Sequence, residues 1–230
     1  MRYSLLAVYK YIALILILCV VLSCSQENRL AKQQPVILEI ISQDTTVASQ
    51  QTLQRFLQAG DELFRWKTHF IIYSQTGKIN ALQDSIQSRF PAAELKVYDD
   101  LYYNFNRSYC SDTVTAKEWE HTILTANLVQ DTALQNEYYR YHETQFEAWP
   151  QVAEGFCKAE FQQLIMFRNG RQLMLVISIP KGKSLDELNP KTTENNPKVD
   201  EWNSIMAKYQ EGIAGTAEGE VWALFGRIKN

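Results

Sequence analysis

Residues 161–180 read FQQLIMF, then RNG, then RQLMLVISIP, and they leave the backbone little freedom. Asn169-Gly170 between two apolar runs is the strongest short-range hairpin signal, because both residue types tolerate positive φ. Two antiparallel strands, 161–167 and 171–180, are therefore expected, turning at Arg168-Asn169-Gly170. Upstream, HTILTANLV (121–129) reads as a strand, and Asp131 and Thr132 are capping-type residues that open a long helix. Downstream, a polar loop at 181–198 leads to an amphipathic helix, VDEWNSIMAKYQ (199–210), and a last strand, GEVWALFGRI (219–228). The order β-α-β-β-α-β predicts an α+β layer with helices on one sheet face.

The first half repeats the theme. A strand at 36–41 precedes a helix at 50–60, a second strand follows at 68–74, and an extended stretch fills 94–105. Between these, 77–90 reads as a helix with Ile79, Leu82 and Ile86 on one side, stopped by Pro91. This is β-α-β-α-β, with room for one strand merged or missed. Residues 106–118 are polar and read as a linker. A sheet covered by helices on one face needs a partner on the other. Two such halves, 35–105 and 119–230, can supply each other's partner as an internal pseudo-dimer; otherwise each pairs with another molecule.

Residues 1–23 belong to targeting. Arg2 and Lys10 precede an apolar run too short for a comfortable bilayer span. Val21-Leu22-Ser23-Cys24 resembles the lipobox of bacterial lipoproteins, which implies cleavage before Cys24 and a diacylglycerol on its sulfur. The alternatives are a plain signal peptide or an uncleaved anchor. Residues 24–34 then form a polar tether. The lipobox reading places the domain in a bacterial cell envelope, held to a membrane on the periplasmic or surface face. Cys110 and Cys157 are the cysteines left beyond the leader and lipobox, and they are either joined or free.

Of 230 residues, 46% are hydrophobic, enough for one large or two small cores. Net charge is −3, with no long basic run, which argues against a nucleic-acid partner. Three histidines, at 69, 121 and 142, are too dispersed for a metal cluster. His69 and His121 read as local structural residues, and Glu143 and Glu147 as a solvated helix face.

The stretch EYYRYHETQFEAWP, 137–150, carries the chemistry. At 3.6 residues per turn, Tyr138, His142, Gln145 and Trp149 share one stripe, flanked by Tyr141 and Phe146. Such a stripe is ordinarily core. This one concentrates polar tips, each needing a partner when buried, as a pocket for a polyhydroxylated ligand would. Histidine both gives and accepts protons near neutrality. Trp202 and Trp222 can add walls.

Residues 120–228 resemble the L-rhamnose mutarotase family. The resemblance rests on Glu137-Tyr138 with His142, Trp149-Pro150, Arg168-Asn169-Gly170, Trp202, and Glu220-Val221 with Phe225, in order and spacing. It implies a dimeric ferredoxin-like α+β barrel, no cofactor, and interconversion of the anomers of an unbound 6-deoxy sugar. By the same resemblance His142 is the general acid/base, Tyr138 a substrate hydrogen-bonder and Trp202 a sugar-facing wall. Trp149 and Gln163 are further substrate-binding candidates. Phe146 stands where the family has a tryptophan, Gln163 and Leu164 stand for its Asn-Tyr pair, and Asn203 replaces a second tryptophan. The loop 181–198 is extra, and His142 lacks an obvious second proton carrier. Three readings stay open: a mutarotase acting on a monosaccharide, a lipid-anchored non-catalytic carbohydrate-binding protein, and a monooxygenase or haem protein on the same fold. Partnership as a homodimer or an internal pseudo-dimer follows from the barrel expectation.

Overall fold

The computed structural model describes residues 34–77 and 79–229. The leader, Cys24 and nearly all of the tether lie outside the described residues. Residues 35–230 form one compact unit.

In the first half β1 (Val36–Ile41), α1 (Val47–Gln54), β2 (Asp61–Trp66), β3 (His69–Ser74), α2 (Asn80–Arg89) and β4 (Glu94–Tyr98) follow in turn. The strand that sequence reading passed over is β2, DELFRW, whose charged ends hide a buried Leu63-Phe64 centre. With it, the half is β-α-β-β-α-β. The extended stretch 94–105 is two strands, because Asp99 interrupts it and β5 (Asp100–Asn106) departs elsewhere.

The second half has β6 (Trp119–Leu128), α3 (Thr132–Ala148), α4 (Pro150–Lys158), β7 (Gln163–Asn169), β8 (Gln172–Pro180), α5 (Leu185–Leu188), α6 (Pro197–Met206), β9 (Gln210–Glu211) and β10 (Ala223–Arg227). Asp131 accepts from the Ala133 and Leu134 amides and so caps α3. The helix ends at Ala148 because Trp149 takes φ −134° and Pro150 starts a new helix at its favoured first position. At the β7–β8 turn only Gly170 has positive φ, 58°. Asn169 stays in the strand and donates its amide to the Val97 carbonyl at 2.9 Å.

Strand order is β4-β1-β3-β2-β10-β6-β8-β7-β5, with β9 also on β6, and the ladders are antiparallel. Each half has the ferredoxin-like order 4-1-3-2, and each lends a strand to the other. From the first half, β5 pairs with β7; from the second, Gly226 and Arg227 of β10 pair with Arg65 and Phe64 of β2. The result is a nearly closed barrel made by one chain, an internal pseudo-dimer of two ferredoxin-like halves. Its interior is filled by Ile37, Phe64, Ile71, Ile165, Phe167 and Val176 among others. Each fully buried side chain of that kind contributes about 1.5–3 kcal/mol.

A polar network crosses the barrel. Glu39 is fully buried; it accepts from the Tyr98 hydroxyl at 2.7 Å and lies 2.7 Å from His69 Nδ1. Gln172, from the other half, donates to Glu39 Oε2 at 3.3 Å and to Thr125 Oγ1 at 3.2 Å. His69 is thus tied into structure, as is His121, whose Nδ1 lies 2.9 Å from Ser178 Oγ.

Residues 106–118 do more than link. Arg107 is buried, opens a 3-10 turn and donates to the Asp112 carbonyl at 2.6 Å. Cys110 is bonded to Cys157 at the end of α4, across a sequence separation of 47. Closing a loop of that length stabilises a fold by ~4 kcal/mol in the chain-entropy picture. The double substitution Cys110→Ser, Cys157→Ser is expected to lower the unfolding free energy by about 2–4 kcal/mol, read from urea denaturation of both proteins under non-reducing conditions. An unchanged midpoint would show that the bond constrains nothing the fold does not already hold.

Candidate active site

Tyr138, His142 and Gln145 are the buried residues of α3, and their spacing puts them on one face. That face lies over the second-half sheet, where Leu124, Leu175, Met166 and Tyr103 form a row across β6, β8, β7 and β5. Between helices and sheet lies a cavity of about 560 Å³, whose walls include Tyr138, His142, Trp202, Gln210, Trp222 and Leu164.

His142 is enclosed by rings. Its centroid lies 4.3 Å from Tyr138, 5.3 Å from Tyr103, 5.3 Å from Trp202 and 5.9 Å from Tyr102. Its Nδ1 lies 3.0 Å from the Tyr138 backbone carbonyl. A carbonyl only accepts, so Nδ1 carries the hydrogen and Nε2 keeps a lone pair. Burial lowers the pKa from 6.5 to about 4, and the bond to the carbonyl only partly opposes it. Near neutrality the ring is an uncharged base in fixed orientation.

Burial raises the Tyr138 pKa, so the phenol stays protonated. Its oxygen accepts from Gln210 Nε2 at 3.3 Å and from the Tyr102 hydroxyl at 3.5 Å. Gln210 is oriented in turn by Trp222 Nε1, which donates to its Oε1 at 3.2 Å. The Tyr138 proton faces Met166 Sδ at 3.9 Å, a weak acceptor that a better one would displace. Gln145 is a strut: it accepts from the Tyr103 hydroxyl at 2.6 Å and donates to the Trp149 carbonyl at 2.9 Å.

The sequence-derived residues thus separate. Tyr138, His142 and Trp202 come together on the cavity wall. Trp149 does not line it, because the helix ends one residue earlier and the 3.6-residue stripe ends with it. Its ring packs 5.7 Å from that of Trp202, with the Lys198 ammonium 5.3 Å away. Gln163 is also outside. Side chains alternate along β7, so Leu164 and Met166 face the helices while Ile165 and Phe167 face the barrel core with Gln163 in their phase. Its amide donates to Asn104 Oδ1 at 3.2 Å. Cys24 lies outside the described residues.

Two tyrosines came from an unexpected place. The first half is more than a scaffold, because its last strand, β5, brings Tyr102 and Tyr103 beside His142. Neighbours on a strand ordinarily face opposite ways, but the β5–β7 register shifts between Leu101 and Tyr103. A bulge of that kind re-aims a side chain. Loop 181–198 supplies another wall through Leu185, Asn189 and Thr193. It seats on α4 at Gly155, where a Cβ would fall 2.5 Å from the Thr192 carbonyl oxygen.

Topology and pocket together define a ferredoxin-like α+β barrel with a helix-on-sheet cavity built around a neutral histidine. A family model described as L-rhamnose mutarotase matches residues 122–228. An L-fucose mutarotase of Xanthomonas campestris pv. campestris is 30% identical over 103 residues, 44% of this chain and 80% of that one. A UPF0734 protein of Dictyostelium discoideum is 30% identical over 105 residues, 42% of this chain and 78% of its own. The chain belongs to the L-rhamnose mutarotase family. Among solved structures, a monooxygenase-like protein from Listeria innocua covers 86% of this chain and 97% of itself at 14% identity and TM-score 0.42. A ferredoxin-fold protein related to antibiotic biosynthesis monooxygenases from Listeria monocytogenes covers 87% and 99% at 12% identity and TM-score 0.44.

The buried histidines make stability depend on pH. His121 is also lowered to about 4, by burial first and Arg227 second. A histidine with a folded pKa below its unfolded value gains its proton on unfolding, so acid favours the unfolded state. Stability present above about pH 6.5 falls as pH drops toward 4, by on the order of 3 kcal/mol for each ring. Urea titrations across this window should show a falling unfolding free energy, and His142→Gln or His121→Gln should each flatten it by about 1.4 kcal/mol per pH unit. Slopes identical to wild type in both variants would mean that neither ring is held neutral.

Proposed function

We propose that this protein interconverts the α and β anomers of a free monosaccharide, L-rhamnose, L-fucose or a related 6-deoxy sugar, by general acid/base catalysis. One observation carries the reading: His142 bonds through Nδ1 to a backbone carbonyl, so Nε2 is the proton acceptor on a ring that lines a 560 Å³ cavity. Membership of the mutarotase family supports it.

The residues suit the chemistry. His142 Nε2 takes the proton of the anomeric hydroxyl as the bond between C1 and the ring oxygen breaks. The ring oxygen keeps that electron pair and takes a proton from the Tyr138 hydroxyl, and C1 becomes the aldehyde carbon. Rotation about C1–C2 presents the other carbonyl face. Reclosure returns one proton to Tyr138 and the other from His142 to the new anomeric oxygen. Tyr138 is therefore the second proton carrier, poised by Gln210. The indoles of Trp202 and Trp222 offer flat faces to sugar C–H groups. Each positioned acid or base supplies roughly 10²–10⁴-fold, enough for a reaction that already proceeds in water.

Anomer exchange followed by saturation-transfer NMR on equilibrated L-fucose and L-rhamnose tests this. Wild type should accelerate exchange of at least one sugar, and His142→Ala should reduce kcat/KM by about 10²-fold or more. Because the ring of the free protein titrates near 4, kcat/KM should stay level from pH 7 to 5 and fall below that as Nε2 is protonated. Equal exchange with and without His142 would remove the assignment.

We also propose that the chain is exported and lipid-anchored through Cys24. The Cys110–Cys157 bond supports an oxidising compartment. Cys24→Ser should move the expressed full-length chain from the membrane fraction to the soluble fraction. Unchanged fractionation would count against the anchor.

A further inference from the structure

The cavity has two unlike ends. On the sheet, its floor is two cross-strand rows. The inner row, Leu124, Leu175, Met166 and Tyr103, lies beneath His142; on the same face, two residues or roughly 7 Å along the strands, comes the row of Ile177, Leu164 and Phe105. Gln210 pairs with Leu128 and Ile177 with Thr122, so lining positions spread over six residues of β6, roughly 20 Å.

Apart from the loop threonines, the buried or half-buried hydrogen-bonding side chains that face the cavity gather at one end. His142 Nε2, the Tyr138 hydroxyl and the Gln210 amide meet there, with the Trp222 ring beside them. The other end is made by Val152, Phe156, Phe161, Leu164, Ile177 and Leu185, whose side chains neither donate nor accept. Asn189 of the loop and Asn203 of α6 also line the cavity, with exposed amides, while the loop threonines add few donors. Thr192 gives its hydroxyl proton to the Asn189 carbonyl at 2.7 Å, and Thr193 gives its own to the Pro190 carbonyl at 3.3 Å. A volume of 560 Å³ falls in the range of roughly 300–1,000 Å³ that holds drug-sized ligands.

A bare hexose fits this shape poorly. Even a 6-deoxy sugar, whose methyl on C5 offers one small apolar edge, carries hydroxyls on the carbons across the ring from C1. Those turned to the apolar end would lose water and gain few partners. From these observations, and resting on the mutarotase reading above, we infer that the preferred substrate is an amphiphilic sugar: a free anomeric end at His142 and an apolar ether or ester substituent on the far side of the ring, seated against Leu164 and Ile177. The substituent cannot be on the anomeric oxygen, since a glycoside cannot open. It belongs on a carbon across the ring, such as C4. Its burial makes the apolar end a source of affinity that an unsubstituted sugar leaves unused.

The test compares L-fucose with its 4-O-butyl ether, which keeps the anomeric centre free. Anomer exchange is measured by NMR and binding by calorimetry, on the full domain. The ether should show kcat/KM at least tenfold above L-fucose, carried mainly by a lower KM. Leu164→Asn, which makes the apolar end polar, and Leu164→Phe, which fills it, should both bring that ratio toward one; circular dichroism confirms folding of each. A ratio near one in wild type overturns the inference while L-fucose exchange leaves the mutarotase reading intact. Should neither sugar be exchanged, that reading fails and calorimetry decides the inference separately: tighter binding of the ether sustains it, and equal or absent binding overturns it. Butyl methyl ether binding as tightly as the butyl sugar also overturns it, because the pocket would then take any apolar molecule without regard to the head.

Discussion

The outer edge of β7 is closed by a strand that comes, in chain order, from the other half of the molecule. On that pairing the site depends. An unpaired edge leaves a row of amide and carbonyl groups open to other chains, and here β5 covers it while β10 covers the matching edge of β2. The same pairing brings Tyr102 and Tyr103 to His142, and the register shift between Leu101 and Tyr103 turns both toward the helix layer. The Cys110–Cys157 bond then ties the end of this segment to α4, whose Val152 and Phe156 line the cavity. One exchange of strands therefore builds the barrel, encloses the imidazole and anchors the wall opposite it.

Desolvation governs the chemistry that follows. An imidazole among four aromatic rings loses the water that would stabilise its charged form, and no carboxylate appears among the ring and hydrogen-bond neighbours described for it. It is a weak base with its direction fixed by a backbone carbonyl. Tyr138, four residues earlier, is the complementary acid. Its pKa is raised by the same burial, so the pair holds one proton on the phenol and none on Nε2. Such an arrangement moves protons between neighbouring oxygens without creating a lasting charge.

Much of this was legible in the residues. Apolar runs and the Arg168-Asn169-Gly170 turn were enough for the second-half hairpin, and the Tyr138-to-His142 spacing for two members of the site. Local patterns failed where local patterns were overruled. The helical period predicts that Trp149 continues the stripe, but Pro150 starts a new helix and the stripe ends. Strand alternation turns Gln163 away, since Leu164 and Met166 already face the cavity. Charged residues at both ends of β2 masked a strand held by Leu63 and Phe64 in its middle. Tyr102 and Tyr103 were invisible as site residues for another reason: their partner strand lies about sixty residues downstream, and no local period encodes a pairing of that range or a bulge within it.

The single-residue link at Asp99 between β4 and β5 has a wider meaning. In a barrel made from two identical subunits, any substitution on one face is repeated on its mate, and both pockets must change together. Covalent continuity removes that bond of symmetry. One side is free to keep the hydrogen-bonded Glu39, His69 and Tyr98 as internal bracing, while the other retains space for a guest. Among the described residues the cavity around His142 occurs once per polypeptide, so the stoichiometry expected there is one guest per chain.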